Sequence, residues 1–302
     1  MLKASPSGAD KIQSFPDLQQ ILLYAALGSI VLAALFAPWL TDVSPLDQDL
    51  MNLDQPFSPA HPLGTDSLGR DILARLVYGA RTTLEISLGG TFIAFFIGAG
   101  IGLTALSMGR FAAGVFFAFI DLVRALPSTL MALLVIVGLG SGQWQLMAAT
   151  GIAFSPLVAY VARSVYQREA SREYVLAARS FGGSRMHILK LHLFPNIMGA
   201  LITQLGIVLP RCIVTESVLS FLGLGSSPDE PTWGRMIADA APMMERAPHE
   251  VIVPLCALVL LTFSLSLLAN EWRERLDPIR GAKGSIPYGG LSAAEERRFH
   301  HA

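Results

Sequence analysis

Only four lysines (Lys3, Lys11, Lys190 and Lys283) occur in 302 residues, and none follows a glycine. A phosphate-cradling loop needs Gly-Lys-Ser/Thr after a glycine-rich turn, so the chain has no such device for hydrolysing ATP. Cysteine is nearly missing too. Cys212 and Cys256 both lie in or beside apolar runs without metal-type spacing, and a disulfide framework is not indicated. The six histidines make no i, i+4 pair with a nearby acid, so a zinc protease is unsupported. His300 and His301, at the extreme tail, read as a frayed end. Charge is thin: 15% of residues carry it, against about 25% in ordinary soluble domains. The net charge is −1, and the bases are spread in small groups, which gives no pointer to nucleic acid.

What the chain has instead is apolar length. It is 52% hydrophobic, with a mean hydropathy of +0.51. Residues 1–17 read as a polar tail and 18–41 as a first transmembrane helix, since about 20 apolar residues cross the hydrocarbon core. A cleaved signal peptide is the competing reading of 18–41; Asp10, Asp17 and the Ala37-Pro38-Trp39 end argue against it. Residues 42–83 are an external segment rich in Asp and Pro. Within it Gly69–Tyr78 is predicted to form an amphipathic helix lying at the interface, with an Asp71–Arg75 pair at i, i+4.

The remaining core runs over 84–270. Ile86–Met108 is a second span, with Gly98 and Gly102 at a spacing that lets helix backbones approach closely. A third begins at Phe111 and is interrupted by Asp121 and Arg124. Ala125–Ala162 holds no charge and is too long for one crossing, and the glycine cluster at 138–142 divides it. Asn196–Thr215 and Val251–Asn270 are the fifth and sixth spans, with a loop at 217–250 and a charged tail at 271–302. Six crossings put both termini on one side. Fifteen bases fall on that side and five on the other, which makes it the cytoplasm.

The cytoplasmic loop 163–195 is the most informative stretch. Tyr174, Ala177, Ala178 and Phe181 share one face of a helix. Gly182-Gly183 offers a left-handed stop, and Ser184 a cap for a second helix bearing Met186, Leu189 and Leu193. Pro195 suits the first turn of a third. A half-apolar helical knob just inside a membrane is shaped to be gripped by another protein.

These residues carry a resemblance. Glu173, Ala177, Ala178, Gly182 and Pro195 resemble the cytoplasmic signature of the permease subunits of binding-protein-dependent ABC importers, with Leu176 where that family often has Glu, and His192 and Phe194 in place of Ile and Leu. His61-Pro-Leu-Gly-Thr-Asp66-Ser-Leu-Gly-Arg70-Asp71, then Tyr78-Gly79-Ala-Arg81, is similar to the external segment of the dipeptide/oligopeptide/nickel branch. So are Asp121 with Ala125-Leu-Pro127-Ser128, and Ser220-Phe-Leu-Gly-Leu-Gly225 with Trp233-Gly234. The resemblance implies an all-α bundle of six transmembrane helices with the type I importer permease fold, in a bacterial inner membrane. It implies the C-type subunit, paired with a second homologous permease in a heterodimer. Two ABC ATPase subunits would hold the ATP and Mg, with no cofactor in this chain, and a periplasmic or lipid-anchored binding protein would deliver the cargo. Short peptides are the implied cargo; nickel or a metal chelate is the alternative.

Charges inside the spans are functional candidates by default. Asp121 and Arg124, at i, i+3, are placed to pair. Arg211 and Glu216, five apart, are less well aligned. Structural ion pairs and a lining of the transport route both stay open for these four. A secondary transporter would need inverted repeats and midplane breaks tied to an ion, and an intramembrane enzyme a converging nucleophile and base; neither pattern is present.

Overall fold

A computed structural model describes residues 18–227 and 230–276. Among these, every regular element is a helix, and one isolated bridge joins Thr65 to Asp71. The tail 1–17 and the tail from 277 onward lie outside the described residues.

The charge-free run begins as α1 (Leu18–Leu35), stops at Phe36 and resumes as the single turn α2 (Ala37–Leu40). Pro38 accounts for the stop, because its ring would collide with the carbonyl four residues back and it has no N–H to give. After an irregular stretch the chain enters α3 (Ile72–Phe95), then a π-helical turn (Phe96–Ile101) and α4 (Gly102–Met108) without a break. Together these make a 37-residue apolar rod. The expected interfacial helix is therefore not a separate element. Its residues are the first turns of the rod, and Ile72 and Ala74 are buried in protein.

Gly109 turns the chain into α5 (Arg110–Arg124). α6 (Ser128–Leu139) follows at 97° to it, across Ala125–Pro127. Gly140 and Gly142 then lead into α7 (Gln143–Ala170), the division expected from the glycine cluster. α8 (Glu173–Ser180) and α9 (Arg185–Ile188) form the predicted elbow. The expected third helix is continuous with the second: a π turn (Leu189–Leu193) joins α9 to α10 (Phe194–Phe221), giving 37 residues from Arg185. Pro195 sits just past that turn, where a widened ladder accommodates its missing donor. α11 (Trp233–Ala240), a 3-10 turn (Ala241–Met243) and α12 (Pro248–Leu276) complete the chain. Four helices have the length and apolarity of a membrane crossing, and the bent pair α5–α6 brings the number to five when taken as one span. α1 is apolar as well but shorter, over Gln20–Leu35.

The residues divide into two units, one of 1–85 with 217–264, the other of 86–216 with 265–302. In the first, the irregular segment is tied by Thr65 and Asp66. The Thr65 hydroxyl accepts from the Gln55 N–H and donates to the Asn52 carbonyl. Asp66 accepts from the Leu68 and Arg70 N–H groups and from Arg70 Nε at 2.7 Å. Asp71 caps α3 by accepting from the Ala74 N–H at 2.7 Å, while its other oxygen meets His61 Nδ1 at 2.8 Å. Its expected partner, Arg75, turns instead to Asp66 at 3.6 Å and Asp239 at 3.3 Å. Arg70 reaches Asp239 as well. Trp233 is buried beside them: its indole donates to the Leu76 carbonyl, and Gly79 leaves room for the ring.

In the second unit α7 packs closely on the rod. A β-carbon added at Gly98 would lie 2.6 Å from the Ser155 carbonyl oxygen and 2.7 Å from the Ala159 nitrogen. Gly98 thus allows the close backbone approach, whereas Gly102, across the π turn, faces the Phe116 ring of α5 instead. Phe154, Val158, Ala162 and Val165 of α7 share a core with Val175, Ile188, Leu189 and Leu193 of the elbow and with Ile197, Leu201 and Val208 of α10.

Candidate coupling surface and charged path

The elbow is built by local rules. Arg172 is extended, and Glu173 occupies the first turn of α8, where a carboxylate suits the unpaired N–H groups. The helix ends in a Schellman motif. Gly182, at φ +84°, donates to the Arg179 carbonyl and Gly183 to that of Ala178, both at 3.0 Å. A side chain at Gly182 would meet open space, so backbone conformation and not room makes glycine the fitting residue there. Ser184 then caps α9, accepting from the His187 N–H at 3.3 Å. Outside the apolar core, the Tyr174 hydroxyl donates to Glu169 at 2.9 Å, which joins α8 to the end of α7. That contact and loss of water push the Tyr174 phenol above its usual range, desolvation being the larger cause.

The expected apolar stripe divides between two faces. Val175 is fully buried and Ala178 partly so, whereas Tyr174, Ala177 and Phe181 face outward, Phe181 at 90% exposure. Leu176 and Met186 are exposed too. Glu173, Gly182 and Pro195 lie on the outer surface with them. Of the sequence-predicted coupling residues, Glu173, Ala177, Gly182 and Pro195 are thus exposed, while Ala178 turns partly into the core.

Beside the elbow is a groove of about 950 Å3 lined by Arg110, Arg163, Arg179 and Arg185 together with Asp121. Arg163 lies 4.6 Å over the Phe117 ring. The Arg185 guanidinium approaches the Met108 carbonyl, linking α9 to the end of α4.

The charges within the spans do not pair as expected. Asp121 does not meet Arg124; it accepts a hydrogen bond from the Tyr160 hydroxyl. Arg124 stacks over the same ring, 4.8 Å from its centroid. An i, i+3 spacing makes contact feasible, but a phenol from α7 competes for both groups. Arg211 and Glu216 also part company: Glu216 is fully buried, while Arg211 lines a cavity of about 430 Å3 with Arg124, Ser128, Phe154 and Tyr160. Sequence reasoning missed Tyr160. A lone phenol in the charge-free part of α7 was the available signal, because a buried Tyr hydroxyl usually finds a partner.

Residues 90–279 match the family described as binding-protein-dependent transport system inner membrane component. The chain is 34% identical over 255 residues to the di/tripeptide transport system permease protein DppC of Pseudomonas aeruginosa (strain UCBPP-PA14), covering 82% of this chain and 84% of the relative. It is 34% identical over 270 residues to the glutathione transport system permease protein GsiD of Escherichia coli O6:K15:H31, covering 86% and 87%. It is 31% identical over 249 residues to the oligopeptide transport system permease protein OppC of Bacillus subtilis (strain 168), covering 82% of each.

Among solved structures, a chain of the inward-facing MetNI methionine ABC transporter superposes with a TM-score of 0.56 at 18% identity, covering 67% of this chain and 96% of that one. A chain of an amino acid ABC transporter gives 0.54 at 20%, covering 67% and 94%. These two establish the fold, that of the type I importer permeases. The chain belongs to the inner membrane components of binding-protein-dependent transport systems. It is a multi-pass membrane permease subunit of an ABC importer.

Proposed function

We propose that this chain forms half of the route by which short peptides cross the inner membrane, driven through its cytoplasmic elbow by separate ATPase subunits. One observation carries the driving role. Tyr174, Leu176, Phe181 and Met186 of the elbow stand exposed, while Val175, Ile188 and Leu193 of the same elbow are built into the core with α7 and α10. A partner that grips these exposed side chains pulls on two long helices at once, because Val175, Ile188 and Leu193 tie the elbow to both. Two ATPase subunits would hold ATP and Mg, one gripping this elbow and one that of a second, homologous permease. Closure of the ATPase pair would tilt α7 and α10. Peptide cargo is supported by the relatives, named for di/tripeptides, oligopeptides and glutathione. A periplasmic or lipid-anchored binding protein would deliver it to the segments 42–83 and 217–250, with both termini in the cytoplasm.

The experiment is co-purification of the assembled importer with Phe181→Asp in this chain. A charge on that exposed face should cut retention of the ATPase subunits about tenfold, the effect of losing about 1.4 kcal/mol of contact, with insertion unchanged. Wild-type retention together with wild-type uptake would overturn the coupling role.

A further inference from the structure

Two arginines of the second unit open on one cavity. Arg124 ends α5, about 21 Å along that helix from Arg110 at 1.5 Å per residue. Arg211 follows Pro210 in α10, about 25 Å from Phe194 by the same rise. With α5–α6 and α10 read as spans, both therefore lie well inside the apolar layer. The space between them, about 430 Å3, is also lined by Ser128, Tyr160, Phe154 and Leu157. Among the described residues neither guanidinium meets a carboxylate: Arg124 rests on the Tyr160 ring, and the nearby acid, Asp121, takes that residue's hydroxyl.

An ionised guanidinium at membrane depth is retained where it faces water or an opposite charge. The 97° break between α5 and α6 lines the same place. Non-helical backbone at such depth is kept only when it is buried in protein or borders an aqueous cavity. Water, not lipid, is the fitting content here, and a space of this size suits a small solute. Two positive forks on one space, with the Ser128 hydroxyl also lining it, select an anion, and a carboxylate matches the fork bidentately.

We infer that Arg124 and Arg211 form a carboxylate station on the translocation path, receiving the C-terminal carboxylate of a peptide in transit. This rests on the peptide reading above. The station acts on a group that every free peptide has, so it is indifferent to side chains. The two forks hold the terminus transiently, and the apolar walls at Phe154 and Leu157 take the adjoining residue.

The test is uptake into proteoliposomes holding the full importer, with a peptide and its C-terminal amide, chosen so that the binding protein takes both. Rates are compared as the ratio of variant to wild type for each peptide, which cancels the binding protein's own preference. Arg211→Gln and Arg124→Gln should each lower uptake of the free acid about tenfold and leave the amide within about twofold, with Arg→Lys restoring most of the loss. Equal loss for acid and amide, as expected if these arginines only pair with a carboxylate of the second permease, would overturn the station. So would no loss for either. Failure of the wild-type importer to move any peptide would instead overturn the peptide reading itself.

Discussion

The indole Nε1 of Trp233 lies 2.9 Å from the carbonyl oxygen of Leu76, across 157 positions of sequence. Two motifs that look independent in the sequence are thus one interlocked structure. The backbone N–H of Trp233 adds a longer contact to the Thr83 hydroxyl. Trp233→Phe should keep most of the packing and lose the hydrogen bond, costing about 1 kcal/mol. Trp233→Ala should cost about 3–5 kcal/mol by opening a cavity. Thermal unfolding of the purified subunit, followed by size exclusion, checks the order. Equal stability of the two variants would show that the ring does not hold the external segment.

Arg75 is 3% exposed and is shared by Asp66 and Asp239. Asp239→Asn leaves the buried Arg75 guanidinium only Asp66, 3.6 Å away and shared with Arg70, and it should destabilise by about 1–3 kcal/mol. Arg75→Met should also destabilise. The double variant should be less damaged than the sum of the two, because the second change removes the charge that the first left unpaired. Additive losses in the same unfolding assay would mean that the two groups do not interact.

At Gly182 the backbone is left-handed and the surroundings are open, so strain and not collision governs substitution. Gly182→Val should straighten or loosen the bend between α8 and α9 and lower peptide uptake per ATP hydrolysed severalfold. Gly182→Asn should be milder, since Asn tolerates that conformation. Both should insert normally. Unchanged coupling in the valine variant, measured as the ratio of uptake to hydrolysis, would remove the bend from the mechanism.

Met51, 90% exposed in the irregular segment, is a direct probe of sidedness. A cysteine placed there, in a variant lacking Cys212 and Cys256, should react with an impermeant thiol reagent added outside intact cells. Labelling only after the cytoplasmic face is opened would reverse the proposed orientation.

Much of this molecule is visible in local sequence. The helix stop at Gly182-Gly183 and the cap at Ser184 were readable because each depends on a few adjacent residues and their own hydrogen bonds. The division at Gly140–Gly142 was readable for the same reason. The motifs at 173–195 also pointed to the family, and the matching region 90–279 includes them. Less was visible where partners had to be chosen. Asp71 and Arg75 have an ideal helical spacing, yet Asp71 lies at the cap and serves His61 and the Ala74 N–H. Asp121 and Arg124 are parted by a phenol from another helix.

By itself the sequence determined the apolar runs that become spans, the asymmetry of bases between the two sides, and the break in the elbow. All three follow from composition and spacing along one strand of chain. Only the tertiary structure decided which face of α8 is buried, which carboxylate receives Arg75, and that Arg124 and Arg211 share a cavity. The reason is physical: a charged or aromatic side chain accepts any of several partners with similar energy, and the selection falls to whichever group the packing of distant helices brings within reach.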